Sequence, residues 1–248
     1  MYSDPWQKNS YGLRLFSYEV HIWCADLKNA LAEQAMLYDL LSIDERERVS
    51  EYKFAKDAQY YTCARGILRK ILGRYLTVDP KNIHFLYNNY GKPYLDQEPT
   101  KKSVKFNLSH SEDLVLYVFS EDYKVGIDLE KMKPFDNFLD IAQQFFSVPE
   151  VANLNAVQAA KRLEAFYKCW TRKESVIKAI GQGLSFPLDQ FTVSFADNEP
   201  VRIVDLQLDS PININEWSLY SIDTIPGYQA AVTVIGPEVD FNFKQFMY

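Results

Sequence analysis

The sequence predicts an α+β protein made of two similar α/β half-repeats, packed as a pseudo-dimer with a site in the cleft between them. Each half has a strand-like segment, a Ser-x-x-Glu helix start and a long basic helix that ends at glycine. No Pro/Gly/Ser-rich linker separates the halves, so we expect tight packing and divide the chain into 1–120 and 121–248. Three residue pairs recur at a constant offset of 108: Arg65 and Lys173, Lys70 and Lys178, and Gly73 and Gly181.

Local patterns predict the elements in chain order. Alternating apolar residues indicate a first strand at 18–25. Capping boxes, in which a Ser and a Glu three residues later bond each other's backbone, begin helices at Ser42 and Ser147. Gly181 or Gly183 ends the last helix. The predicted helices cover 27–41, 42–52, 58–76 and 162–180; the later strands cover 114–119, 125–129, 191–195, 217–222 and 229–235, with a turn at 88–93 between two extended pieces.

Composition describes a globular chain. Its 248 residues are 47% hydrophobic and 24% charged, which excludes collagen-like and disordered proteins. No apolar run approaches the roughly 20 residues that a transmembrane helix needs, and the N-terminal segment lacks a secretory-signal pattern. Cys24, Cys63 and Cys169 are too few and too scattered for a disulfide framework or a zinc site. We therefore expect a cytoplasmic protein that does not enter membranes.

The net charge of −6 predicts no general attraction for nucleic acid. Its distribution is uneven. Residues 42–75 carry eight Lys or Arg against five Asp or Glu, and 161–178 carry six against two, whereas 196–240 carry one against eight. The two basic stretches favour an anionic small molecule or an acidic protein partner. The alternative is that both are ordinary solvated helix faces.

The last long helix carries an acid where an apolar residue is expected. At about 100° per residue, Glu174 falls near the middle of an apolar stripe, and Lys178 lies one turn later at its edge. A carboxylate in such a stripe needs a compensating partner, such as a metal ion or hydrogen-bond donors. The alternative is a simple i,i+4 pair between Glu174 and Lys178.

Two further carboxylates lie on a predicted strand. Asp128 and Glu130 are two residues apart and point to the same face, roughly 7 Å from each other. Both can bind one hard cation, and the missing side chain of Gly126 leaves room for a ligand. Oxygen ligands of this kind suit Mg²⁺, and Glu174 would complete a three-carboxylate site. The alternative is an ordinary strand end with solvated acids.

The segment 106–111, F-N-L-S-H-S, reads as a polar, turn-prone stretch before the next strand. Its serines and backbone N–H groups can receive phosphate oxygens. Ser109 and His110 do not indicate a serine hydrolase, because no G-x-S-x-G elbow is present and adjacency in sequence is not triad geometry. No P-loop and no G-x-G-x-x-G motif is present either.

Together these pieces resemble the 4′-phosphopantetheinyl transferases, and the longer, monomeric, surfactin-synthetase-activating type fits this length best. The resemblance covers most of the chain from Ser42 to Leu188. Its motifs occur in family order: E-R-E-R (45–48), K-D-A (56–58), Y-G-K-P-Y-L (90–95), N-L-S-H-S (107–111), G-I-D-L-E (126–130), F-F-S-x-x-E (145–150) and W-T-R-K-E-S-V-I-K-A-I-G-Q-G-L (170–184).

The resemblance implies transfer of the phosphopantetheine arm of coenzyme A to a serine of an apo acyl or peptidyl carrier protein, with release of adenosine 3′,5′-bisphosphate. It implies Mg²⁺, or Mn²⁺, held by Asp128, Glu130 and Glu174; some members use water in place of Glu130. The implied catalytic residues are Asp128, Glu174 and Lys178. The implied coenzyme A contacts are Arg48, Lys92, Pro93, Asn107, Ser109, His110 and Lys178, with Arg65 as a further phosphate candidate.

The general base stays open at this stage. Glu174 or a metal-bound water is the usual family proposal, whereas Glu150 has a structural explanation in its capping box. Two other classes compete with the transferase: another Mg²⁺-dependent phosphohydrolase or nucleotidyl transferase, and an inert carrier-binding protein. The inert protein is expected to lack Asp128, Glu174 or Lys178, and this chain has all three. The expected partners are coenzyme A and the carrier, and the expected state is a monomer.

Overall fold

The first half of the chain runs from a strand through four helices and back into strands. A computed structural model describes residues 7–8, 13–96, 104–197, 199–206, 216–222, 225–236 and 239–246. The elements of the first half are β1 (Gln7–Lys8), β2 (Glu19–Asp26), α1 (Leu27–Ala30), α2 (Gln34–Tyr38), α3 (Ile43–Glu51), α4 (Ala55–Leu76), β3 (Phe85–Tyr87), β4 (Pro93–Leu95), β5 (Lys105–Ser111) and β6 (Leu114–Ser120).

The second half repeats this pattern from a new strand onward. No helix of the described residues is long and apolar enough to cross a membrane. The elements are β7 (Lys124–Lys131), α5 (Phe138–Phe145), α6 (Val148–Ala156), α7 (Ala159–Ile180), β8 (Phe191–Val193), β9 (Ile203–Leu206), β10 (Trp217–Ser221), β11 (Tyr228–Ile235) and β12 (Asp240–Gln245).

The lengths and pairings of the elements show the duplication. β2 and β7 have eight residues each, α3 and α6 nine each, and α4 and α7 twenty-two each. Both halves contain three antiparallel strands in equivalent order, β5-β6-β2 and β10-β11-β7. Both capping boxes are present, at Ser42 and Ser147. The predicted two-half architecture is therefore confirmed.

The predicted offset of 108 is wrong. β7 begins 105 residues after β2, and α7 begins 104 residues after α4. The last helical residue is followed in each half by a left-handed residue, Thr77 (φ 56°) and Gly181 (φ 85°). Arg69 is thus the counterpart of Lys173. The basic residues recur so often in both helices that sequence alone selected the wrong register.

Three hydrophobic cores divide the described residues into four layers. In the first half, α4 covers one face of the sheet around Trp23 and Tyr117, and α7 covers the second sheet in the same way around Ala231. The third core lies between the two sheets. Its strand residues are Val20, Ile22, Leu116, Val118, Val125, Ile127, Leu129, Val232 and Val234. Because strand side chains alternate between faces, each sheet serves a helix on one side and the other sheet on the opposite side.

One strand crosses between the halves. β12 pairs in parallel with β2, so the larger sheet has the order β1-β12-β2-β6-β5. A simple division between residues 120 and 121 therefore assigns β12 to the half with which its strand does not pair; the division itself stays a prediction.

Several element predictions needed correction. The predicted helix at 27–41 is broken into α1, a 3₁₀ turn at Leu31–Glu33 and α2. The predicted polar turn at 106–111 is the strand β5. Neither α5 nor β12 was predicted. The polar residues of β5 alternate with apolar ones. They were interpreted as a turn because polar residues usually face solvent, whereas these face another strand.

Candidate active site

The carboxylates of the second sheet meet polar side chains of the first at the line where β5 runs beside β7. Asn107 Oδ1 accepts from the Ile127 N–H at 3.0 Å, and Ser111 Oγ accepts from the Lys131 N–H at 3.0 Å. Ser109 lies between them on the same face of β5. These side chains supply backbone partners that a neighbouring strand would otherwise give, and so they fix β7 against β5.

Asp128 is at the centre of the site. Its side chain is buried, and its Oδ1 accepts from Ser109 Oγ at 2.9 Å and from Lys178 Nζ at 2.6 Å. Lys178 Nζ also donates to Ser109 Oγ at 3.0 Å. The structure therefore joins β5, β7 and α7 through one carboxylate, one hydroxyl and one ammonium group. Lys178 pairs with Asp128 rather than forming the i,i+4 pair with Glu174 that was the alternative.

The other two carboxylates are crowded by like charge. Burial and the charges of Asp128 and Glu130 raise the pKa of Glu174 to about 7, although Lys178 opposes the shift. Burial and Asp128 also raise the pKa of Glu130, whose Oε2 accepts from Ser111 Oγ at 3.0 Å. One lysine faces three acids here, so the site carries an excess of negative charge.

These residues fit a divalent cation. Asp128 Oδ2 is buried and has no hydrogen-bond partner in the structure, which is costly for a carboxylate oxygen unless a ligand satisfies it. The donor set consists of carboxylate oxygens, which hard cations such as Mg²⁺ prefer. As they stand, no three Asp, Glu, His or Cys side chains of the described residues form a group close enough to hold a metal ion.

Gly126 has a different role from the one predicted. A Cβ at this position would lie 2.1 Å from the Ser175 carbonyl oxygen and 2.2 Å from the Ala179 nitrogen. The space beside Gly126 is therefore filled by the backbone of α7 and does not receive a ligand. This close approach brings Glu174 and Lys178 of α7 to the two carboxylates of β7.

The predicted coenzyme residues are dispersed around this centre. Arg48 is exposed on α3, with its guanidinium 5.8 Å from the ring centroid of Tyr61. His110 is exposed and, as the neighbour of Ser109 in β5, lies on the opposite face of the strand. The surrounding protein and the Lys178 ammonium lower the pKa of His110. Pro93 lines a cavity of about 310 Å³ between the two halves.

Lys92 reaches the second half through its ammonium group. Nζ donates to the carbonyl oxygens of Val125 at 3.1 Å, of Ala179 at 3.4 Å and of Lys178. Burial and the nearby charge of Lys124 lower the pKa of Lys92 to about 8. The ammonium predicted to face coenzyme A is thus occupied by three backbone carbonyls.

Two further residues considered in the sequence analysis lie in buried ion pairs. Arg65, a phosphate candidate from sequence, pairs with Glu45 at 2.8 Å and donates to the Tyr87 hydroxyl. Glu150 accepts from Lys173 at 2.6 Å, and neither side chain is exposed. Glu150 also accepts from the Ser147 and Val193 N–H groups. Glu150 is therefore a structural residue, as its capping box indicated.

Comparisons with protein-family models and with known proteins show which family the chain belongs to. A family model described as "4'-phosphopantetheinyl transferase, N-terminal" matches residues 26–122, and one described as "4'-phosphopantetheinyl transferase superfamily" matches residues 124–233. The 4′-phosphopantetheinyl transferase HetI of a Nostoc species is 32% identical over 236 residues, covering 95% of this chain and 96% of that protein. The chain belongs to the 4′-phosphopantetheinyl transferase superfamily. The resemblance found in the sequence motifs is confirmed.

Other 4′-phosphopantetheinyl transferases show a similar match. Sfp of Bacillus subtilis is 34% identical over 216 residues, covering 87% of this chain and 92% of that protein. The transferase psf-1 of Bacillus pumilus is 34% identical over 213 residues, covering 86% of both. The chain is thus a transferase of the holo-[acyl-carrier-protein] synthase type, and its two halves match separate family models.

Sequence reasoning about this phosphopantetheinyl transferase missed two site residues. Ser111 holds both Glu130 and the Lys131 N–H, and Asn88 donates to the Gly181 carbonyl oxygen at 2.6 Å. The signal for Ser111 was present, because Asn107, Ser109 and Ser111 follow the two-residue period of a strand face. Asn88 left no such signal, since its contact joins segments 93 residues apart.

Proposed function

We propose that this transferase moves the 4′-phosphopantetheine arm of coenzyme A to a serine of an apo acyl or peptidyl carrier protein in a Mg²⁺-dependent reaction that releases adenosine 3′,5′-bisphosphate. Membership of the family supports the reaction class. We further propose a cytoplasmic monomer, because the two halves of one chain already supply both sides of the site.

One observation carries the metal dependence. Asp128 and Glu130 on β7 and Glu174 on α7 lie near enough for like charge to help raise the pKa values of Glu130 and Glu174, and one buried oxygen of Asp128 lacks a hydrogen-bond partner. Without a cation, like charges this close to one another disfavour the ionised form of each carboxylate. We assign these three carboxylates as the ligands of the cation.

The reaction is a displacement at the phosphorus that bears the pantetheine arm. The serine oxygen forms a bond to this phosphorus, the bond to the bridging oxygen of the diphosphate breaks, and adenosine 3′,5′-bisphosphate leaves with that oxygen. A cation held by Asp128, Glu130 and Glu174 would neutralise charge at the diphosphate and at the leaving phosphate. Glu174 takes the proton of the serine hydroxyl, and Lys178 contacts the diphosphate as a point charge.

The coenzyme is assigned to the first half and the line between the halves. Arg48 and His110 are proposed to hold its 3′-phosphate, and Asn107 and Ser109 line the same strand next to the carboxylates. The turn that contains Lys92 contributes its backbone and Pro93. Support for this placement comes from the exposed guanidinium of Arg48, which leaves positive charge available for an anion, and from the exposed ring of His110, which can donate an N–H to a phosphate oxygen.

The test is incubation of the purified chain with coenzyme A, Mg²⁺ and a panel of apo carrier proteins. Intact-mass spectrometry should show an increase of about 340 Da on at least one carrier. EDTA should stop the transfer, and added Mg²⁺ or Mn²⁺ should restore it. Unmodified carriers together with cleaved coenzyme would indicate a phosphohydrolase instead, and binding without any covalent change would indicate an inert carrier-binding protein.

A further inference from the structure

The turn between β3 and β4 belongs to the first half, but its side chains end on the second. The ammonium of Lys92 donates to the Lys178 and Ala179 carbonyl oxygens at the end of α7 and to the Val125 carbonyl oxygen near the start of β7. An ammonium group has three N–H donors, and these three acceptors use all of them. Lys92 therefore bridges a helix and a strand.

The acceptors are groups that need such a partner. The last four carbonyl groups of an α-helix have no partner inside the helix, and the helix dipole favours a positive charge at that end. At α7 this need is met from the other half of the molecule, by Lys92 and by Asn88 Nδ2, which donates to the Gly181 carbonyl oxygen at 2.6 Å.

Asn88 also shapes the turn that presents Lys92. Its Oδ1 accepts from the Tyr90 and Lys92 N–H groups, both at 2.9 Å. At the other side of the contact, a Cβ on Gly181 would lie 3.1 Å from Lys92 Cδ and 3.2 Å from Asn88 Nδ2. Both partners are thus arranged for close contact: the turn is held in shape, and the helix end is free of a side chain.

The bridged elements carry the proposed catalytic groups. The carbonyl oxygen of Lys178 accepts from Lys92 Nζ, while the ammonium of Lys178 binds Asp128 at 2.6 Å. Val125 precedes Asp128 by three residues on β7, and Gly126 between them touches the backbone of α7. A shift of the helix end relative to the strand would therefore move Lys178 and Glu174 away from Asp128 and Glu130.

We propose that Lys92 is a positioning residue and that its ammonium does not contact coenzyme A. It holds the end of α7 against β7, so that Lys178 and Glu174 stay next to Asp128 and Glu130. This inference deepens the proposed function and rests on it. The alternative predicted from sequence is that Lys92 binds coenzyme phosphate, and the two roles differ in what they change. A phosphate contact affects coenzyme binding, whereas loss of positioning affects turnover.

The test compares Lys92→Met with Lys124→Met. Both remove a lysine charge from the same region, but Lys124 is exposed and does not contact α7 through any bond described in the structure. For Lys92→Met we expect kcat to fall by about tenfold to a hundredfold, because a misplacement of about 1 Å can have an effect of this size. The KM for coenzyme A and the preference for coenzyme A over dephospho-coenzyme A should stay within about twofold of the wild type. Lys124→Met should change neither quantity.

A second readout does not depend on activity. Hydrogen exchange of the amides at residues 179–181 should be faster in Lys92→Met and unchanged in Lys124→Met, whatever substrate the enzyme uses. If the wild type transfers nothing, the proposed function fails, while this exchange measurement still tests the bridge.

The result that overturns the inference is a raised KM for coenzyme A, or a lost preference over dephospho-coenzyme A, with kcat retained. Unchanged kcat and unchanged exchange overturn it equally. If Lys92→Met does not fold, the same criteria apply to Lys92→Arg, whose planar guanidinium keeps the charge but cannot direct three donors from one atom. Its kcat should lie below that of the wild type, and its KM for coenzyme A should be unchanged.

Discussion

At the scale of single residues, pairing separates the buried acids of this transferase into two kinds. Glu45 receives Arg65 and Arg69, and Glu150 receives Lys173 and two backbone N–H groups, so their charge is fully compensated inside the protein. Asp128, by contrast, pairs with Lys178 while the charges of two further carboxylates, Glu130 and Glu174, lie near it. Acids of the first kind stabilise the fold, whereas an undercompensated acid is suited to bind a ligand.

Glu174→Gln should reduce kcat/KM for transfer by at least about a hundredfold, because it removes charge where the cation and the developing phosphate charge are stabilised. The matched control is Glu164→Gln, the same change on α7 at an exposed residue that pairs with Lys168. Mn²⁺ binding, followed by electron paramagnetic resonance, should weaken in the first variant only. Full activity of Glu174→Gln would exclude the three-carboxylate site.

His21 predicts a pH dependence of stability. Its ring is 2% exposed, and Tyr75, which accepts from Trp23 Nε1, donates to His21 Nδ1 at 2.6 Å, so the neutral ring carries its proton on Nε2. Burial, followed by the charge of Lys244, lowers the pKa of His21 to about 4. Between pH 6.5 and 4 the unfolded chain binds the proton that the folded chain excludes. Stability is therefore complete above pH 6.5 and falls, by up to about 3 kcal/mol, as the pH drops to 4.

Urea titrations from pH 7 to pH 4.5 measure this effect. The wild type should lose stability with a slope that His21→Asn removes. His84→Asn is the control, since His84 is exposed. An acid-dependent slope that persists in His21→Asn would assign the loss to other groups.

At the scale of elements, the features predicted correctly were those that depend on residues close together in the sequence. Capping boxes at Ser42 and Ser147 and the glycine that ends α7 were predicted correctly, because each depends on residues a few positions apart. β5 was misread because its polar face contacts β7 across the molecule, and the contact of Asn88 with Gly181 has no local trace. The carboxylates were predicted from their periodicity, but the pairing of Lys178 with Asp128 was not, because it joins residues 50 positions apart.

Gly126→Ala tests the contact between β7 and α7. An added methyl group would lie 2.1 Å from the Ser175 carbonyl oxygen and 2.2 Å from the Ala179 nitrogen. Both are backbone atoms, which cannot rotate away as a side chain can. We expect a loss of more than about 3 kcal/mol in the free energy of unfolding. Gly91→Ala is the control: its φ is 82°, but nothing lies within 4 Å, so only the left-handed conformation costs energy, about 1–2 kcal/mol. Equal losses in both variants would contradict the close approach.

At the scale of the whole molecule, the two halves share an architecture but differ at the positions of the carboxylates. The offsets of 105 for the strands and 104 for the helices make Trp23 the first-half equivalent of Asp128 and Lys70 the equivalent of Glu174. Trp23 belongs to the core, and Lys70 binds Glu33 at 2.7 Å. The first half thus keeps the architecture of the site without its chemistry.

The salt response of the carrier reaction is a property of the molecular surface. Arg69 and Arg172 belong to the two basic stretches but are buried, so neither can meet a carrier. Lys53 remains exposed in the first basic stretch. Since rim charges act mainly on association and are screened over roughly 8 Å at physiological ionic strength, added NaCl should raise the KM for the carrier severalfold and leave kcat nearly unchanged.

Lys53→Gln should flatten that response in steady-state assays at increasing NaCl concentration. Substituting KCl for NaCl provides the control, because screening depends on ionic strength and not on the cation. A carrier KM that ignores salt would point to an apolar docking surface instead.

The parallel pairing of β12 with β2 has a consequence for how the chain is made. A ribosome completes β2 long before β12, because residues 27–239 separate the two strands in the chain. Until then one border of the nascent first sheet keeps its N–H and C=O groups unpaired, in a strand that contains Val20 and Ile22. Such an open edge can recruit strands from other chains. β12 covers this edge, so loss of the segment 239–246 should lower the yield of folded enzyme during expression because the edge would stay open.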